Sequence, residues 1–528
     1  IVGQEYSIVE YYSSHEGYNC GYCCTEDTNY SHGMYAYQLT VQDYQDLIDR
    51  GWRRSGCFCY KPTNSRTCCP MYTIKCEALN IRLTKSQKKI LKKMARFLRN
   101  ELSKDEAMND VNDDRNVLDV NMDDAPQCKK YAEKADKKTS DLTVSSVHSD
   151  VNKQSNKSKK KCDPKKPERS SESIASKSDF NNSSSNARVS IVQAVEAAPA
   201  KGPCRKAKLM RIERKRNKLL AQGKTMEEIE TMFRERKERN KPKGFDELFE
   251  ESLIGTKKFE VCPWLYECSH LREPIVIKLV RVMSDEFKST FSTSAALYRK
   301  YQMAIHHDPP EKCNEKSFFN FLVSSPLQHW KPSNGPPSGY GSFHEQYWLD
   351  DELIAIGVID ILPYCVSSVY FFYDPDYSYL SLGTFSSLRE VYVTRQLSRT
   401  VSDLKYYYMG FYIHTCHKTR YKARLRPSQL LCTETNVWFN IEPCLKMLEK
   451  QPYCRFNTDI DAIDVEGIVD IRKVLILYES IAMPYSVYKS RVIGGMTREE
   501  QDEIQEYANL VGSKCAPRIL LHRRPPSP

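Results

Sequence analysis

Cysteine is the residue type whose spacing points most directly to chemistry in this chain. Eight of its 20 cysteines lie in the first 76 residues, among them Cys20 and Cys23 and the adjacent residues Cys68 and Cys69. A Cys-x-x-Cys pair places two thiolates on one tight turn, and a second pair brought near by folding completes a four-sulfur metal site. Adjacent cysteines are unusual in a zinc knuckle, so zinc, an iron–sulfur cluster and a redox role all stay open. Ordinary core packing is the alternative, but eight cysteines exceed that usage.

Carboxylates in the C-terminal half are the second group of chemical candidates. Asp360 interrupts the apolar run 353–362, where a buried acid is costly unless it is paired. We expect it to hold a positively charged substrate group, and satisfaction by backbone amides is the alternative. Asp374 and Asp376 lie where a strand gives way to a helix, a position at which loops often present functional groups. Turn and capping chemistry is the alternative for these two residues.

The net charge of +11 is concentrated in one segment. Residues 201–243 contain sixteen Lys and Arg against six Glu, so they carry nearly all of the excess. A localised basic stretch is typical of a protein that binds a phosphate-rich partner, above all RNA or DNA. A solvated helix face with interleaved charges is the alternative. Apolar residues recur there at helical spacing, and Gly223 indicates a turn between two helices.

Composition divides the chain into five segments. Residues 1–102 hold the cysteines and two predicted helices, so we expect a small Cys-rich, metal-binding domain. Residues 103–200 are rich in Asp, Asn, Ser and Lys, which predicts a disordered linker because so few apolar residues cannot offset the ordering entropy. The basic helical segment 201–244 and an aromatic-rich domain at 245–516 follow, and the Pro-rich tail at 517–528 is expected to be unstructured.

The aromatic-rich domain has the pattern of an α+β fold. Two apolar runs, 353–362 and 368–373, predict an antiparallel pair of central strands. A helix is predicted after Asp376, and the tyrosine-rich run 406–414 predicts a returning strand. This order of strand, strand, helix and strand belongs to a layer built on one mixed sheet.

Two kinds of location signal are missing from the sequence. No run reaches the ~18 uninterrupted apolar residues of a membrane helix, so we expect no membrane association. The chain begins at Ile1 without an initiator Met or a signal peptide, which suggests a clipped or partial N-terminus. We therefore expect the cytoplasm, and also the nucleus, as the compartment.

Motifs in both halves of the chain resemble one protein family. They are Cys20-Gly-Tyr-Cys23, Ser31-His-Gly-Met34, the run 41–56, Cys68-Cys-Pro-Met-Tyr-Thr-Ile74, Gly341-Ser-Phe-His-Glu-Gln-Tyr-Trp348, Gly357-Val-Ile-Asp-Ile-Leu-Pro363, Tyr373-Asp-Pro-Asp-Tyr377, Leu380-Ser-Leu-Gly383 and Tyr421-Lys422. Through these collinear matches the chain resembles the eukaryotic arginyl-tRNA–protein transferases over roughly residues 15–100 and 245–455. The resemblance implies transfer of arginine from arginyl-tRNA to the α-amino group of proteins beginning with Asp, Glu or oxidised Cys. It further implies that such proteins are marked for ubiquitin-dependent degradation, and that the C-terminal domain has a GNAT-like acyltransferase fold.

The resemblance also implies cofactors and partners. Cys20, Cys23, Cys68 and Cys69 become the expected ligands of an iron–sulfur cluster or zinc, with haem sensing as a further role of the adjacent pair. Cys24 and Cys76 are spare candidates that could replace one ligand. Arginyl-tRNA is the expected co-substrate, and no nucleotide cofactor is expected. An acetyl-CoA-dependent acetyltransferase is disfavoured, because the segment before the predicted helix offers only Gly383 for a pyrophosphate loop. We expect a monomer or weak self-association.

The implied reaction sets the polarity of its site. An aminoacyl ester is already activated, so the enzyme must deprotonate an ammonium, align it with the ester carbonyl and stabilise an oxyanion. A guanidinium calls for carboxylates, whereas an acidic N-terminus and tRNA call for Arg or Lys. We therefore expect Asp360 as the catalytic residue, and the expected substrate-binding residues are His344, Tyr347, Asp374, Asp376, Ser381, Gly383, Arg420 and Lys422. Strand alternation places His344 and Tyr347 on opposite faces. The alternative function is a catalytically silent RNA- or protein-binding adaptor.

Overall fold

The structure is a computed structural model, and it describes residues 6–13, 17–102, 207–239, 243–254, 276–492 and 495–524. The helices are α1 Val41–Asp49, α2 Lys85–Leu98, α3 Ala207–Ala221, α4 Met226–Arg239, α5 Phe245–Ser252, α6 Asp285–Ser289, α7 Phe291–Tyr301, α8 Glu315–Phe318, α9 Leu382–Ser398, α10 His417–Arg420, α11 Ile441–Leu448, α12 Tyr485–Arg491 and α13 Arg498–Cys515. The strands are β1 Ser7–Tyr12, β2 Ser31–Gln38, β3 Arg53–Ser55, β4 Phe58–Pro62, β5 Tyr72–Glu77, β6 Val276–Arg281, β7 Gly341–Leu349, β8 Glu352–Ile361, β9 Cys365–Tyr373, β10 Tyr406–Tyr412, β11 Ser428–Leu431, β12 Trp438–Asn440, β13 Leu475–Tyr478, β14 Ile481–Pro484 and β15 Ile519–Arg523.

Two mixed sheets contain the described strands. A seven-stranded sheet has the order β14-β13-β15-β1-β2-β4-β3, and an eight-stranded sheet has the order β12-β11-β5-β10-β9-β8-β7-β6. Both hold parallel and antiparallel neighbours, since β1 runs parallel to β15 and antiparallel to β2. The α+β class is therefore confirmed, although the sequence predicted a single mixed sheet.

Strands from the two ends of the chain are interleaved in these sheets. β5 lies between β10 and β11, with Cys76 opposite both Tyr407 and Ser428. The described residues within 1–141 and 243–528 accordingly form one compact unit, so the predicted boundary between residues 1–102 and 245–516 does not separate two bodies. The physical reason is that β5 completes its backbone hydrogen bonds with strands more than 300 residues away.

The predicted unstructured tail also contains a strand. Ile519, Leu520 and Leu521 are buried in β15, which pairs with β1 and β13 in the seven-stranded sheet. Apolar burial and ladder hydrogen bonds outweigh the nearby prolines, which come after the strand. The expectation of an unstructured tail was therefore wrong for these residues, and residues 525–528 lie outside the described part of the chain.

The second unit spans residues 142–242, and its described residues form α3 and α4. Gly223 lies between these helices with a φ of +82°, the left-handed conformation that glycine adopts most easily. The two helices and the intervening turn predicted for the basic segment are thus confirmed. The predicted disordered linker, residues 103–200, lies outside the described residues.

The centre of the eight-stranded sheet follows the predicted order of elements. β8 and β9 are antiparallel, α9 follows them, and β10 returns parallel to β9. The parallel pairing covers only Tyr406 with Cys365, Tyr407 with Val366 and Tyr408 with Ser367. Both strands continue beyond these pairs without pairing to each other, and Gly410 (φ +68°) lies where the register of β10 against β5 shifts. Beyond these pairs β9 and β10 are not hydrogen-bonded to each other, which leaves a gap in the middle of the sheet. We call this gap between β9 and β10 the cleft.

A buried ion pair joins the two sheets. The Arg54 guanidinium, on edge strand β3, donates from Nε to Asp360 Oδ2 (2.8 Å) and from Nη2 to Asp360 Oδ1 (2.6 Å). Ser342 Oγ on β7 donates to the same Oδ1 at 2.7 Å. Both charged side chains are at most 1% exposed. Burial acts to lower the pKa of Arg54, but the Asp360 carboxylate raises it above its usual value.

This arrangement corrects the role expected for Asp360. Its carboxylate is costly in an apolar strand, as the sequence indicated, but its partner is Arg54 of the same chain. Asp360 is fully buried, and both of its carboxylate oxygens already accept hydrogen bonds. A substrate therefore cannot contact it. We therefore assign Asp360 to holding the sheets together.

The charge balance of this pair predicts how it responds to substitution. Arg54→Leu leaves the Asp360 carboxylate buried without its counter-ion, so we expect a loss of about 3–5 kcal/mol in the free energy of unfolding. Chemical denaturation followed by circular dichroism measures this loss. The double variant Arg54→Leu/Asp360→Leu removes both charges and should recover most of it. A single variant as stable as the unsubstituted protein would refute the role of the pair.

Candidate functional site

Four of the N-terminal cysteines converge in the structure. The Sγ atoms of Cys20, Cys23, Cys68 and Cys69 all lie within 4.8 Å of one another, and Cys23 Sγ and Cys68 Sγ are 3.4 Å apart. Cys20 and Cys69 are buried, whereas Cys23 and Cys68 are exposed. The turn 20–23 and the adjacent pair 68–69 thus bring together the four residues that the resemblance implied.

The spacing of these sulfur atoms fits one metal ion. Thiolates about 2.3 Å from a tetrahedral zinc lie about 3.8 Å from one another, which this cluster reaches with small adjustments. An iron–sulfur cluster places several atoms between its ligands and would require the sulfurs to move apart. Hydrogen bonds to sulfur support a ligand role, since the Tyr22 amide donates to Cys20 (3.4 Å) and the Thr28 hydroxyl donates to Cys68 (3.0 Å).

The cysteine cluster packs against the end of β10. Cys20 and Cys69 share a small apolar core with Met71, Phe411 and Ile413. Cys76 lies elsewhere, buried in the core under α2 and α9, where burial raises the pKa of its thiol to about 12. The structure therefore does not support Cys76 as a replacement ligand.

Tyrosine side chains gather where β9 and β10 diverge. The Tyr301 ring lies 5.2 Å from that of Tyr373 and 6.4 Å from that of Tyr370, measured between ring centres. The Tyr370 hydroxyl lies 3.1 Å from His306 Nε2, and Tyr421 is a further neighbour of Tyr301. Tyr301 and Tyr373 are buried, whereas Tyr370 is half-buried, so the Tyr370 ring alone of these three presents an aromatic surface beside the cleft.

A buried carboxyl group lies behind this cleft. Glu390, on the inner face of α9, accepts a hydrogen bond from Ser386 Oγ (3.0 Å), and the hydroxyls of Tyr407 and Ser368 lie near enough to lower its pKa. Burial, reinforced by the nearby Glu345 carboxylate, outweighs these hydroxyls and raises the pKa of Glu390 to about 7. Ser368 is half-buried on β9 and connects this carboxyl group to the cleft.

Lys422 lies at the other side of the cleft. Its Nζ donates to the Phe411 carbonyl at 2.9 Å, and a Cβ on Gly410 would lie 4.0 Å from Nζ. Burial, together with the positive charge of Arg53, lowers the pKa of Lys422 to about 8. Arg420 is exposed nearby, and its Nε donates to the His414 carbonyl (3.1 Å). Arg420 and Lys422, both expected to bind substrate, therefore lie beside the cleft.

The acidic loop after β9 is organised around a lysine. Lys300 Nζ, on α7, donates to Asp374 Oδ2 (2.7 Å) and to Asp376 Oδ2 (2.9 Å). Asp374 is buried and also accepts the Asp376 amide, whereas most of the Asp376 side chain is exposed. Asp374 thus performs the turn chemistry that was its alternative role, and Asp376 keeps a surface for a ligand.

The N-terminus of α9 opens next to this loop. Ser381 caps the helix from the left-handed region (φ +57°) without a side-chain hydrogen bond to it. Nothing lies within 4 Å of the position that a Cβ on Gly383 would take. The Cβ side of Gly383 therefore faces open space at the N-terminus of α9. The Thr384 and Phe385 amides of the same turn donate to the Ser381 carbonyl (3.1 Å each).

His344 and Tyr347 do not reach the cleft. Both side chains are fully buried on β7. His344 Nε2 contacts the Leu322 carbonyl at 3.0 Å, its ring packs edge-on against Phe287, and burial lowers its pKa to about 4. Tyr347 packs against Phe371 instead. These contacts belong to the core, so the geometry gives no support to a substrate-binding role for either residue.

Several residues of the cleft escaped the sequence analysis, among them Lys300, Tyr370, Glu390 and Tyr407. For Glu390 a signal was present, because it lies between Leu388 and Val391 on the predicted inner face of the helix. That is the same anomaly that drew attention to Asp360. Nothing in the sequence indicates that Tyr370 and Tyr301 meet, since they lie on different elements 69 residues apart.

Comparisons with known proteins identify the family. The family model for the N terminus of arginine-tRNA-protein transferase matches residues 18–89, and that for the C terminus matches residues 293–432. Arginyl-tRNA–protein transferase 1 of Drosophila melanogaster is 40% identical, covering 97% of this chain and 99% of that protein. Arginyl-tRNA–protein transferase 2 of Arabidopsis thaliana is 32% identical, covering 82% of this chain and 75% of that protein. Aspartate/glutamate leucyltransferase of Campylobacter jejuni is 39% identical over 85 residues, which are 16% of this chain and 34% of that protein.

The fold, the cleft and these relatives define the protein as a transferase enzyme. The chain belongs to the arginyl-tRNA–protein transferase family, as its N-terminal and C-terminal motifs indicated. Among the described residues no helix combines the length and the apolarity needed to cross a bilayer.

The cysteine geometry predicts one metal ion per chain. Cys23→Ser removes a thiolate from the four-sulfur set, so we expect at least a tenfold weaker retention of metal against a competing chelator. Elemental analysis of the purified protein measures the metal content. Cys76→Ser, which replaces a buried cysteine outside the cluster, should retain the metal. A stoichiometry of several iron atoms per chain, with sulfide, would contradict the single-ion geometry.

Proposed function

We propose that this enzyme transfers arginine from arginyl-tRNA to the α-amino group of proteins that begin with Asp, Glu or oxidised Cys. Membership of the arginyl-tRNA–protein transferase family supports the donor and the reaction. The acidic acceptor is supported by the partial match to a bacterial protein named aspartate/glutamate leucyltransferase. The single observation that carries the location of the site is the cleft between β9 and β10, where basic, acidic and aromatic side chains meet.

The architecture around this cleft supports a GNAT-like acyltransferase domain. In that arrangement two parallel neighbouring strands separate, and the helix that connects them places its N-terminus near the opening. β9, α9 and β10 have this order and this divergence. A separated strand pair exposes unpaired amides and carbonyls that can bind an acyl group in an extended conformation.

The polarity of the cleft matches the two substrates. The half-buried ring of Tyr370, which packs against the buried ring of Tyr301, provides a surface on which a terminal base of tRNA can stack. Lys422 and Arg420 supply positive charge for the acidic N-terminus of the acceptor or for tRNA phosphates. Asp376 is the exposed carboxylate that binds the arginyl guanidinium. Lys300 forms ion pairs with both Asp374 and Asp376 and so holds Asp376 in position. The open space beside Gly383, at the N-terminus of α9, accommodates the polar end of the aminoacyl group.

Glu390 is proposed as the proton acceptor. The amine nitrogen attacks the ester carbonyl, the bond from that carbon to the ribose oxygen breaks, and the tRNA hydroxyl leaves with a proton. Glu390 takes one proton from the ammonium through the Ser368 hydroxyl and releases it to solvent. The nitrogen gives up a second proton to the leaving ribose oxygen as the carbon–oxygen bond breaks. A general base works best with a pKa near the working pH, which burial provides here.

The four cysteines are proposed to hold one structural metal ion, and their sulfur spacing favours zinc over an iron–sulfur cluster. When bound, the metal cross-links the turn 20–23 to the pair 68–69 and so stabilises the surface on which Phe411 and Ile413 pack. Those two residues flank the cleft end of β10 and the turn that carries Lys422. The cysteine cluster therefore supports the position of the basic side of the cleft.

We propose that the arginylated proteins are then degraded through the ubiquitin system. The cytoplasm and the nucleus are the proposed compartments, because 14 of the 15 described cysteines are free and only Cys24 is disulfide-bonded, a proportion usual in a reducing environment. The alternative of a silent adaptor finds no supporting observation, since the cleft retains its polar groups.

A transfer assay tests the reaction and the basic side of the cleft. Purified protein is mixed with radiolabelled arginyl-tRNA and peptides that begin with Asp or Ala. We expect label on the Asp peptide alone, and a loss of about 10²-fold in kcat/KM for that peptide in Lys422→Met, since a charged contact is lost. Lys489→Met, a substitution on α12 far along the chain, is the control. Binding of tRNA without any peptide labelling would favour the adaptor.

The proposed base gives the reaction a defined pH dependence. The proton acceptor must be ionised, so with the pKa of Glu390 raised to about 7 the value of kcat should fall as the pH drops below 7. Glu390→Gln should lower kcat by about 10²–10⁴-fold and remove this dependence on Glu390. Single-turnover transfer from pH 5.5 to 8.5 measures both effects. Glu442→Gln, an exposed carboxylate on α11, is the matched control. A full rate with an unchanged pH profile in Glu390→Gln would exclude it as the base.

A further inference from the structure

An unusually apolar loop lies on the surface between α11 and β13. Ile460 is 87% exposed, Val465 72%, Ile468 67% and Ile463 60%. No other large apolar side chain among the described residues is more than 51% exposed. These four side chains fall within nine consecutive residues, and we call the stretch 459–470 that contains them the apolar loop. Clustered exposed apolar side chains are typical of a site of protein interaction.

The apolar loop is held in a defined shape by contacts below it. Arg50 binds the Asp464 carboxylate with two nitrogens, and Asn436 donates to the same carboxylate at 2.9 Å. Lys514 on α13 pairs with Glu466 at 2.7 Å, and the Val469 side chain is buried. The apolar side chains thus face solvent while the backbone that carries them is anchored, so a partner would meet a preorganised surface.

The charge of the apolar loop is opposite to that of the whole protein. It contains Asp459, Asp461, Asp464, Glu466 and Asp470 and no Lys or Arg, whereas the chain carries +11. Asp464 and Glu466 are paired with residues below the loop, and Asp470 is paired with Arg472. Asp459 and Asp461 are exposed and form no ion pair with a described residue. The carboxylates of Asp459 and Asp461, which lie next to Ile460 and Ile463 in the chain, are therefore available to pair with a basic partner.

This combination limits what can bind there. Phosphates of a nucleic acid and the headgroups of an anionic membrane would be repelled by the carboxylates. A second copy docking through the same loop would bring like charges together while burying them, which is unfavourable. A segment with aliphatic side chains on one face and Lys or Arg beside them complements both features.

We propose that the apolar loop is a docking site for a basic amphipathic helix of a partner protein. The aliphatic face of that helix covers Ile460, Ile463, Val465 and Ile468, and its basic side chains pair with Asp459 and Asp461. The site is separate from the proposed transferase cleft and does not depend on the proposed function.

The test uses a defined probe, an 18-residue labelled amphipathic helix of Leu, Ala and Lys, in fluorescence anisotropy with the full chain. We expect micromolar binding that weakens with added salt. Ile460→Ser/Val465→Ser should weaken binding by at least about tenfold. Asp459→Asn/Asp461→Asn should weaken it and reduce its salt dependence. Ile481→Ser, an apolar side chain that is 50% exposed on β14, is the matched control and should bind as the unsubstituted protein does.

Three outcomes would overturn the proposal. They are unchanged binding in the serine variant, equal binding of a peptide with Glu in place of Lys, and equal binding of a peptide with the same composition in scrambled order. Sedimentation velocity without peptide examines self-association, and a dimer dissolved by the serine substitutions would assign the loop to a second copy instead. Arginine transfer to a short peptide should be the same in all variants, so failure here is distinguishable from failure of the proposed function.

Discussion

The buried ion pair of Arg54 with Asp360 is the constraint around which the two sheets are arranged. A carboxylate in the middle of an apolar strand is tolerated only when a cation neutralises it with good geometry. Here the cation comes from an edge strand encoded some 300 residues earlier, and Ser342 supplies a further hydrogen bond. Removing either partner while the sheets stay packed would leave an uncompensated buried charge. The pair therefore fixes the N-terminal strands against the sheet that contains the cleft.

With the sheets fixed in this way, β10 becomes the element shared by both candidate sites. One end of β10 packs against the buried cysteines through Phe411 and Ile413. The same end diverges from β9, and the carbonyl of Phe411 holds the Lys422 amine. A metal ion in the cysteine cluster would thus stabilise a wall of the proposed active site without contacting a substrate. This explains physically why a Cys-rich segment and a transferase domain form one unit.

Two buried acids illustrate how environment separates structural from chemical roles. Asp360 is paired with a guanidinium and has no contact with solvent or with the cleft. Glu390 has hydroxyl groups and another carboxylate as neighbours, so burial is not compensated and its pKa rises to about 7. The first arrangement favours a permanently charged group, whereas the second favours one that exchanges a proton near neutral pH. From the sequence, both residues are simply acids among apolar neighbours.

Patterns local to the sequence were enough to predict several elements and the family. Local periodicity predicted the antiparallel strands β8 and β9, the helix α9 and the two basic helices, because side-chain spacing within one segment reflects which face is buried. The motifs that resemble the family include the four cysteines, and the structure confirms that their sulfur atoms lie close together. The folded chain was needed to show that Arg54 neutralises Asp360 and that β5 enters the eight-stranded sheet. It was also needed to show that residues 519–521 form a strand and that Glu390 lies behind the cleft. These features depend on contacts between residues distant in the chain, and no local pattern records which distant strand or side chain completes a hydrogen bond or compensates a charge.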